Sequence, residues 1–162
     1  MIGQKELFAL LDTLNIPFKY LEHEPIPTVE AALAIRGPIE GVFCKNLFFR
    51  NHKGDKHYLV CFDHTKQLPV KDLELKLKQG KLSFASEQRM EKYLGLKPGS
   101  VSAFGLINDK DKHVKLFLDS SLKDSGHVSF HPNDNRATLI VSFADLMKFL
   151  NHLNANYEFI AI

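Results

Sequence analysis

The sequence predicts a mixed α/β fold: a largely antiparallel mixed sheet or barrel flanked by helices. Three observations predict it. Apolar residues recur at every second position in runs such as 41–50, and at helical spacing in runs such as 3–14, so strands and amphipathic helices are both present. The two kinds of run mix without the regular strand–helix–strand alternation of a doubly wound sheet. The runs at 41–50 and 56–63 are separated only by the polar turn "NHKGD", the pattern of an antiparallel hairpin. A chain of 162 residues, 44% hydrophobic and 25% charged, is sized for one domain spanning 1–162, with no repeat or linker to divide it.

Taken in order, Leu7, Phe8, Leu11 and Leu14 form a helical stripe that ends before Pro17, and "IPFKYLEH" follows as a strand. Thr28 is placed to cap a helix "VEAALAIR" that stops at Gly37-Pro38. The hairpin strands "GVFCKNLFFR" and "KHYLVCFD" come next. In "KDLELKLK" (71–78) the leucines alternate as in a strand, while the composition and the Gln79-Gly80 end favour the helix expected here. Ser86 caps "EQRMEKYL", with Met90, Tyr93 and Leu94 on its apolar side and Gly95 as its stop. A glycine-containing loop "KPGSVSAFG" and a turn at Asn108-Asp109 lead to strands at "VKLFLD", "HVSF" and "ATLIVS". Ser142, with Asp145 three positions on, opens a last helix "FADLMKFLNHL".

Composition excludes several classes of function. No apolar run approaches the ~18 residues of a membrane span, and "MIGQKELFALLDTLN" has neither the basic flank nor the cleavage site of a secretory signal, so a cytoplasmic location is expected. Cys44 and Cys61 form no CxxC pair and read as reduced thiols. "HEP" at 23–25 and "HPND" at 131–134 are too sparse for a metal site, so neither metal nor cofactor is expected. A net charge of +2 is far from that of a general nucleic-acid coat. The lysines are uneven, however: Lys66, Lys71, Lys76, Lys78 and Lys81 share one stretch with only Asp72 and Glu74, either a solvated face or a local phosphate-binding patch.

One residue breaks the pattern of the first hairpin strand. Lys45 is in phase with Phe43, Leu47 and Phe49, and so is expected to point where they point. There it either aims its ammonium into a pocket, as a donor to a carbonyl, phosphate or oxyanion, or snorkels to the mouth of the sheet. Asn46 projects to the opposite face unless a bulge brings both inward. His131, opening "HPNDNRATL" between two strands, is either a functional loop histidine or a turn residue. "PGSVSAFG" is able to bring backbone N–H groups close to a ligand oxygen. Walker, HExxH, dinucleotide and G-x-S-x-G motifs are absent.

"PTVEAA", "GVFCKNLFFR", "LSFASEQRMEKYLGLKPGSVSAFGLIND", "LD" at 118–119 and "HPNDNRATLIVS" occur in an order and spacing that resembles the free-standing prolyl-tRNA editing proteins of the YbaK/ProX type. These are related to the editing insertion of bacterial prolyl-tRNA synthetases. The resemblance runs from about residue 5 to residue 153 and is greatest to the branch that removes alanine from mischarged tRNA(Pro). It implies a YbaK-like, aminoacyl-tRNA deacylase-like fold and metal-free hydrolysis of an aminoacyl ester. Its lysine falls on Lys45, its asparagine on Asn46 and its histidine on His131. Its Gly-x-x-x-Pro loop falls on Gly99, Ser100, Val101, Ser102 and Ala103, where alanine replaces a proline that would fix φ.

The resulting expectation is a hydrolase in which Lys45 meets the substrate carbonyl or the terminal phosphate, and the vicinal hydroxyl of the terminal adenosine holds the water. Backbone groups of 99–103 cradle the ester, Asn46 and His131 shape the site, and Leu47 and Phe49 line a small acyl cavity. The expected partner is the aminoacylated 3′ end of tRNA, with prolyl-tRNA synthetase as a further candidate and neither DNA nor membrane involved. Deacylation of Cys- or Ser-tRNA, and a non-catalytic module binding tRNA or a synthetase, are the alternatives.

Overall fold

The computed structural model describes residues 1–25, 34 and 41–162. The helix expected at 29–36, its Thr28 cap and its Gly37-Pro38 stop lie outside the described residues, Ala34 excepted. Helix α1 (Lys5–Thr13) buries Leu7 and Leu11, and its chain turns back through Asn15 at φ 55° into strand β1 (Lys19–Glu22). Strands β2 (Val42–Arg50) and β3 (His57–Asp63) form the expected antiparallel hairpin, in register from Cys44 opposite Asp63 to Arg50 opposite His57. Asn51 holds its turn: the Oδ1 atom accepts from the N–H groups of Gly54, Asp55 and Lys56 at 2.8, 3.0 and 3.1 Å.

The ambiguous leucine segment is helix α2 (Val70–Leu77), which buries Leu73 and ends with Lys78 in the left-handed region. A two-residue strand β4 (Ser83–Phe84) precedes α3 (Glu87–Leu94), where the Ser86 hydroxyl accepts from the Arg89 N–H and Gly95 supplies the left-handed stop. The second half of the expected glycine loop is instead a 3-10 helix, Ala103–Asn108, capped by Ser102. Strands β5 (Val114–Asp119), β6 (His127–Phe130) and β7 (Ala137–Ser142) follow, then α4 (Phe143–His152) with its Ser142 cap. A last strand β8 (Asn156–Ile160), not expected from the sequence, closes the chain.

The pairing order is β1-β7-β6-β2-β3-β5-β8, with β4 added to β2. Four pairings are antiparallel and three, β2 with β6, β3 with β5 and β5 with β8, are parallel. Central strand β3 is covered on both faces. Leu59 and Cys61 join the larger core cluster, while Tyr58, Val60 and Phe62 join a second cluster with Phe49 and Phe117. None of the described helices is long and apolar enough to cross a membrane.

One detail of topology positions the site. On one edge β2 pairs with β3 over residues 44–50; on its other edge, among the described residues, it pairs with β6 at Val42 and Phe43 and with β4 at Phe49 and Arg50. The Phe43 carbonyl accepts from the His64 N–H on the β3 side, and the Phe48 carbonyl accepts from the Ala85 N–H on the other. Ladder alternation therefore turns the backbone N–H and C=O of Asn46 into the gap between β6 and β4.

The expected lysine patch is partly neutralised by acids remote in sequence. Lys66 pairs with the fully buried Asp119 at 3.0 Å, and Lys76 pairs with Glu158. Burial raises the Asp119 carboxyl, but donors from the Ser121 N–H and hydroxyl, Lys66 and the Asp63 N–H outweigh it and hold the group below its usual range. This stabilisation is complete above the unfolded carboxyl pKa of about 4 and is lost as pH falls through the lower folded value. Asp119→Ala is expected to cost about 3 kcal/mol by denaturant unfolding at neutral pH, and to flatten the stability profile below about pH 4.

Candidate functional site

A cleft of about 400 Å³ opens at the gap in the β2 edge, within the range of small-molecule sites. Both Lys45 and Asn46 line it, on the stretch of β2 between its β6 and β4 pairings. Lys45 lies opposite Phe62 in the hairpin and is exposed at the mouth of the cleft. Its charge stays in contact with water, so the penalty for burying an unpaired ammonium does not arise.

Asn46 is held from behind. The fully buried Cys61, directly opposite in the hairpin, donates to its Oδ1 at 2.7 Å, and its Nδ2 reaches the Cys44 carbonyl at 3.4 Å. Burial, with the neighbouring Cys44 thiol, pushes the Cys61 thiol well up and keeps the donated proton in place.

His131 lines the opposite wall, at the end of β6. Its Nδ1–H donates to the Ala137 carbonyl at 2.7 Å, which leaves Nε2 as the acceptor. Burial lowers its pKa, with a further push from His23, against the raising effects of the Ala137 carbonyl and Asp134. At neutral pH it is an uncharged acceptor. The loop that carries it is braced by the amino terminus: Gln4 N–H donates to the Pro132 carbonyl, and Asn133 Nδ2 to Gln4 Oε1 at 2.8 Å. Gln4 in turn exchanges side-chain hydrogen bonds with Asn108.

The glycine loop contributes unequally. Gly99, at φ 84°, and Val101 line the cleft. Ser100, Ser102 and Ala103 are buried behind it. Ser102 accepts from the Phe104 N–H at 3.1 Å, and the Gly105 N–H donates to the Ser102 carbonyl, so this cap orders the turn where proline was expected. Ala103 is fully buried in the core and makes no wall of the cleft.

Leu47 lines the cleft, but Phe49 does not, a correction to the sequence reading. The Phe49 ring turns into the second core cluster and stacks on Phe84 at 4.9 Å. Of the phenylalanines that line the cleft, Phe43, Phe48, Phe84 and Phe130, Phe84 is the exposed one, at 67%. Sequence reasoning also missed Ser129, Thr138 and Met90, all of which line it. The Thr138 hydroxyl donates to His23 Nε2 at 2.8 Å, since His23 Nδ1–H is taken by the Glu24 carbonyl. A polar residue inside "HVSF" or "ATLIVS" was the only signal for Ser129 and Thr138, and strand alternation alone does not separate a cleft from solvent.

The cleft thus combines one cation at its mouth, an uncharged imidazole acceptor, an oriented amide and hydroxyls on an otherwise apolar lining. Such a set suits polarising a carbonyl and orienting water.

A family model described as the aminoacyl-tRNA editing domain matches residues 23–149. The chain is 42% identical over 152 residues to the prolyl-tRNA editing protein ProX of Acetoanaerobium sticklandii, covering 93% of this chain and 92% of that one. It is 34% identical over 149 residues to prolyl-tRNA synthetase associated domain-containing protein 1 of Danio rerio, covering 91% and 80%. A crystal structure of a candidate trans-editing enzyme for prolyl tRNA synthetase shares the fold, with a TM-score of 0.71 at 20% identity over 98% of each chain. The match across most of the chain, with a full-length relative at this identity, places the protein in the aminoacyl-tRNA editing domain family.

Proposed function

We propose that the protein is a trans-editing hydrolase that deacylates mischarged tRNA(Pro), with Ala-tRNA(Pro) as its main substrate. The observation that carries this reading is the convergence of Lys45, Asn46, His131 and the Gly99–Val101 turn on one open cleft in a chain of the editing family. A synthetase pocket discriminates small apolar side chains poorly, since one methylene is worth only ~1–3 kcal/mol, and a second site that destroys the wrong product restores fidelity.

The reaction needs little from the protein because the ester is already activated. Water oxygen attacks the carbonyl carbon, the carbon–oxygen bond to the terminal ribose breaks, and the ribose oxygen leaves with a proton derived from that water. Lys45 stabilises the tetrahedral oxyanion at the cleft mouth, and the inward-facing Asn46 N–H is a second donor. The vicinal ribose hydroxyl holds the water, and neutral His131 orients it by accepting a hydrogen bond at Nε2. Leu47, Met90 and Val101 form the apolar surface that receives a methyl group. Phe84 offers its exposed face to the terminal adenine, a stacking role that Phe49 supports from beneath. A tRNA ligand fits a cytoplasmic protein, and prolyl-tRNA synthetase, named in the relatives, is the natural source of the mischarged product.

Lys45→Ala is expected to slow deacylation of Ala-tRNA(Pro) by roughly 10²–10³-fold. A near-wild-type rate would remove the lysine from the mechanism. The same assay over Cys-, Ser- and Pro-tRNA separates alanine editing from other deacylation, and tRNA binding without turnover of any ester would leave a binding module. Because the His131 pKa lies below the usual value near 6.5, the rate is expected to hold down through pH 6.5 and fall only on further acidification. His131→Gln should shift or abolish that acid limb. Phe84→Ala is expected to raise KM about tenfold with kcat largely kept, as the loss of one base–aromatic stack of ~1–3 kcal/mol requires.

A further inference from the structure

Arg50 and Arg89 meet at the hairpin turn beyond the cleft. Gly54, at φ 80°, lets both close on the turn: a side-chain carbon on residue 54 would lie 3.1 Å from Arg50 Nη1 and 3.0 Å from Arg89 Nη2, tighter than ordinary contact. The two guanidinium groups therefore bracket one small volume. Among the described residues, neither arginine is within ion-pair distance of a carboxylate; the nearby Asp55 pairs with Lys53 instead.

The surroundings reinforce the positive field. Arg89 Nη1 donates to the Gly54 carbonyl at 2.8 Å and to His57 Nε2 at 3.1 Å, and His57 Nδ1–H donates on to His113 Nε2 at 2.8 Å. His57 is buried, and burial together with His113, Arg89, Arg50 and Lys92 depresses its pKa to about 4, so it stays neutral and accepts from Arg89. This chain fixes the Arg89 guanidinium in place with Nη2 close beside Gly54. Two like charges held this close repel each other, and an anion between them replaces that repulsion with two attractions. A planar guanidinium pair is suited to the oxygens of a phosphate.

Position identifies the source of the phosphate. Arg50 is on the same face of β2 as Asn46 and Phe48, two residues or about 7 Å beyond Phe48. It also pairs in register with Ser83, beside the exposed Phe84 at the cleft rim. We propose that Arg50 and Arg89, facing each other across Gly54, form a phosphodiester-binding site for the RNA strand whose aminoacylated end enters the cleft. The inference rests on the tRNA-editing reading above and extends it to how the strand is held outside the reacting centre. An aromatic platform followed by a cationic groove is the usual arrangement for a single-stranded end.

The test is Arg50→Gln, because among the described residues the Arg50 side chain makes no hydrogen bond, and Arg89 with its two side-chain hydrogen bonds stays in place. Binding of uncharged tRNA(Pro) is measured by fluorescence anisotropy across a salt series. Affinity is expected to fall roughly three- to tenfold at moderate salt, and the slope of log K against log salt to decrease by about one. Hydrolysis of an alanyl ester of adenosine, which lacks the phosphodiester, should stay at the wild-type rate. Unchanged tRNA affinity and salt slope would overturn the proposal, even if the enzyme edits as expected. An Arg50-dependent loss of tRNA binding with no ester hydrolysis by the wild type would instead sink the editing reading and keep the phosphate site. In NMR titrations, arginine Nε–Hε shifts of the wild type with a short single-stranded RNA support the assignment. Shifts with inorganic phosphate alone, and none with RNA, overturn it in favour of a free-anion site.

Discussion

The incomplete pairing of β2 is the constraint on which the rest of the site depends. A strand saturated on both edges offers a ligand only the side chains of one face. Strand β2 is saturated by β3 on one side and interrupted on the other, between β6 at Phe43 and β4 at Phe49. In that gap neighbouring residues of opposite pleat phase, Lys45 and Asn46, address the same cavity, and the main chain of Asn46 adds its own polar groups. The parallel β6 and the short antiparallel β4 are therefore the two jambs of the opening; His131 follows β6, and Phe84 of β4 with the next residue, Ala85, forms the rim.

Electrostatics within the cleft follow a division of labour. The charge is confined to Lys45 at the solvent boundary, where it need not be desolvated before a substrate arrives. Deeper groups are neutral and oriented by the core behind them: Asn46 by the Cys61 thiol, His131 by the Ala137 carbonyl, Thr138 by His23. Each of these partners is itself buried or bonded, so the polar groups need little reorganisation when an ester carbonyl develops negative charge. The same logic governs the hairpin turn, where a neutral His57 is the price of keeping two arginines close together.

Local chemistry made much of the fold legible in advance. The hairpin was readable because a polar turn separates two apolar runs, α1 because its apolar stripe stops before Pro17, α3 because Ser86 caps it and Gly95 stops it, and α4 because Ser142 caps it. Strand β4 was not, because two residues carry no periodicity, and β8 was overlooked although Tyr157 and Phe159 alternate just after the turn at Asn154. Parallel pairing of β3, β5 and β8 depends on contacts far apart in the chain, which no local pattern encodes. At the site, Lys45 stood out as a charge in an apolar strand and His131 as a histidine in a loop between two strands, and the cleft brings them to one place. Phe49 misled because alternation assigns a face but does not say which core that face meets. The acids that pair with Lys66 and Lys76, Asp119 and Glu158, were not legible beside the lysines because they come from β5 and β8.

An interrupted strand edge has a further consequence for the protein in a crowded solution. Unsaturated backbone along a sheet margin is normally a template for intermolecular strand addition and fibril growth. Here the stretch between the two pairings is only five residues long, 44–48, with the Phe48 carbonyl already bonded to the Ala85 N–H; strands stand at both ends and an ammonium group guards it. A foreign strand long enough to bind tightly collides with β6 or β4, whereas a slender nucleotide terminus does not. The geometry that admits the ligand also keeps other chains from aggregating on it.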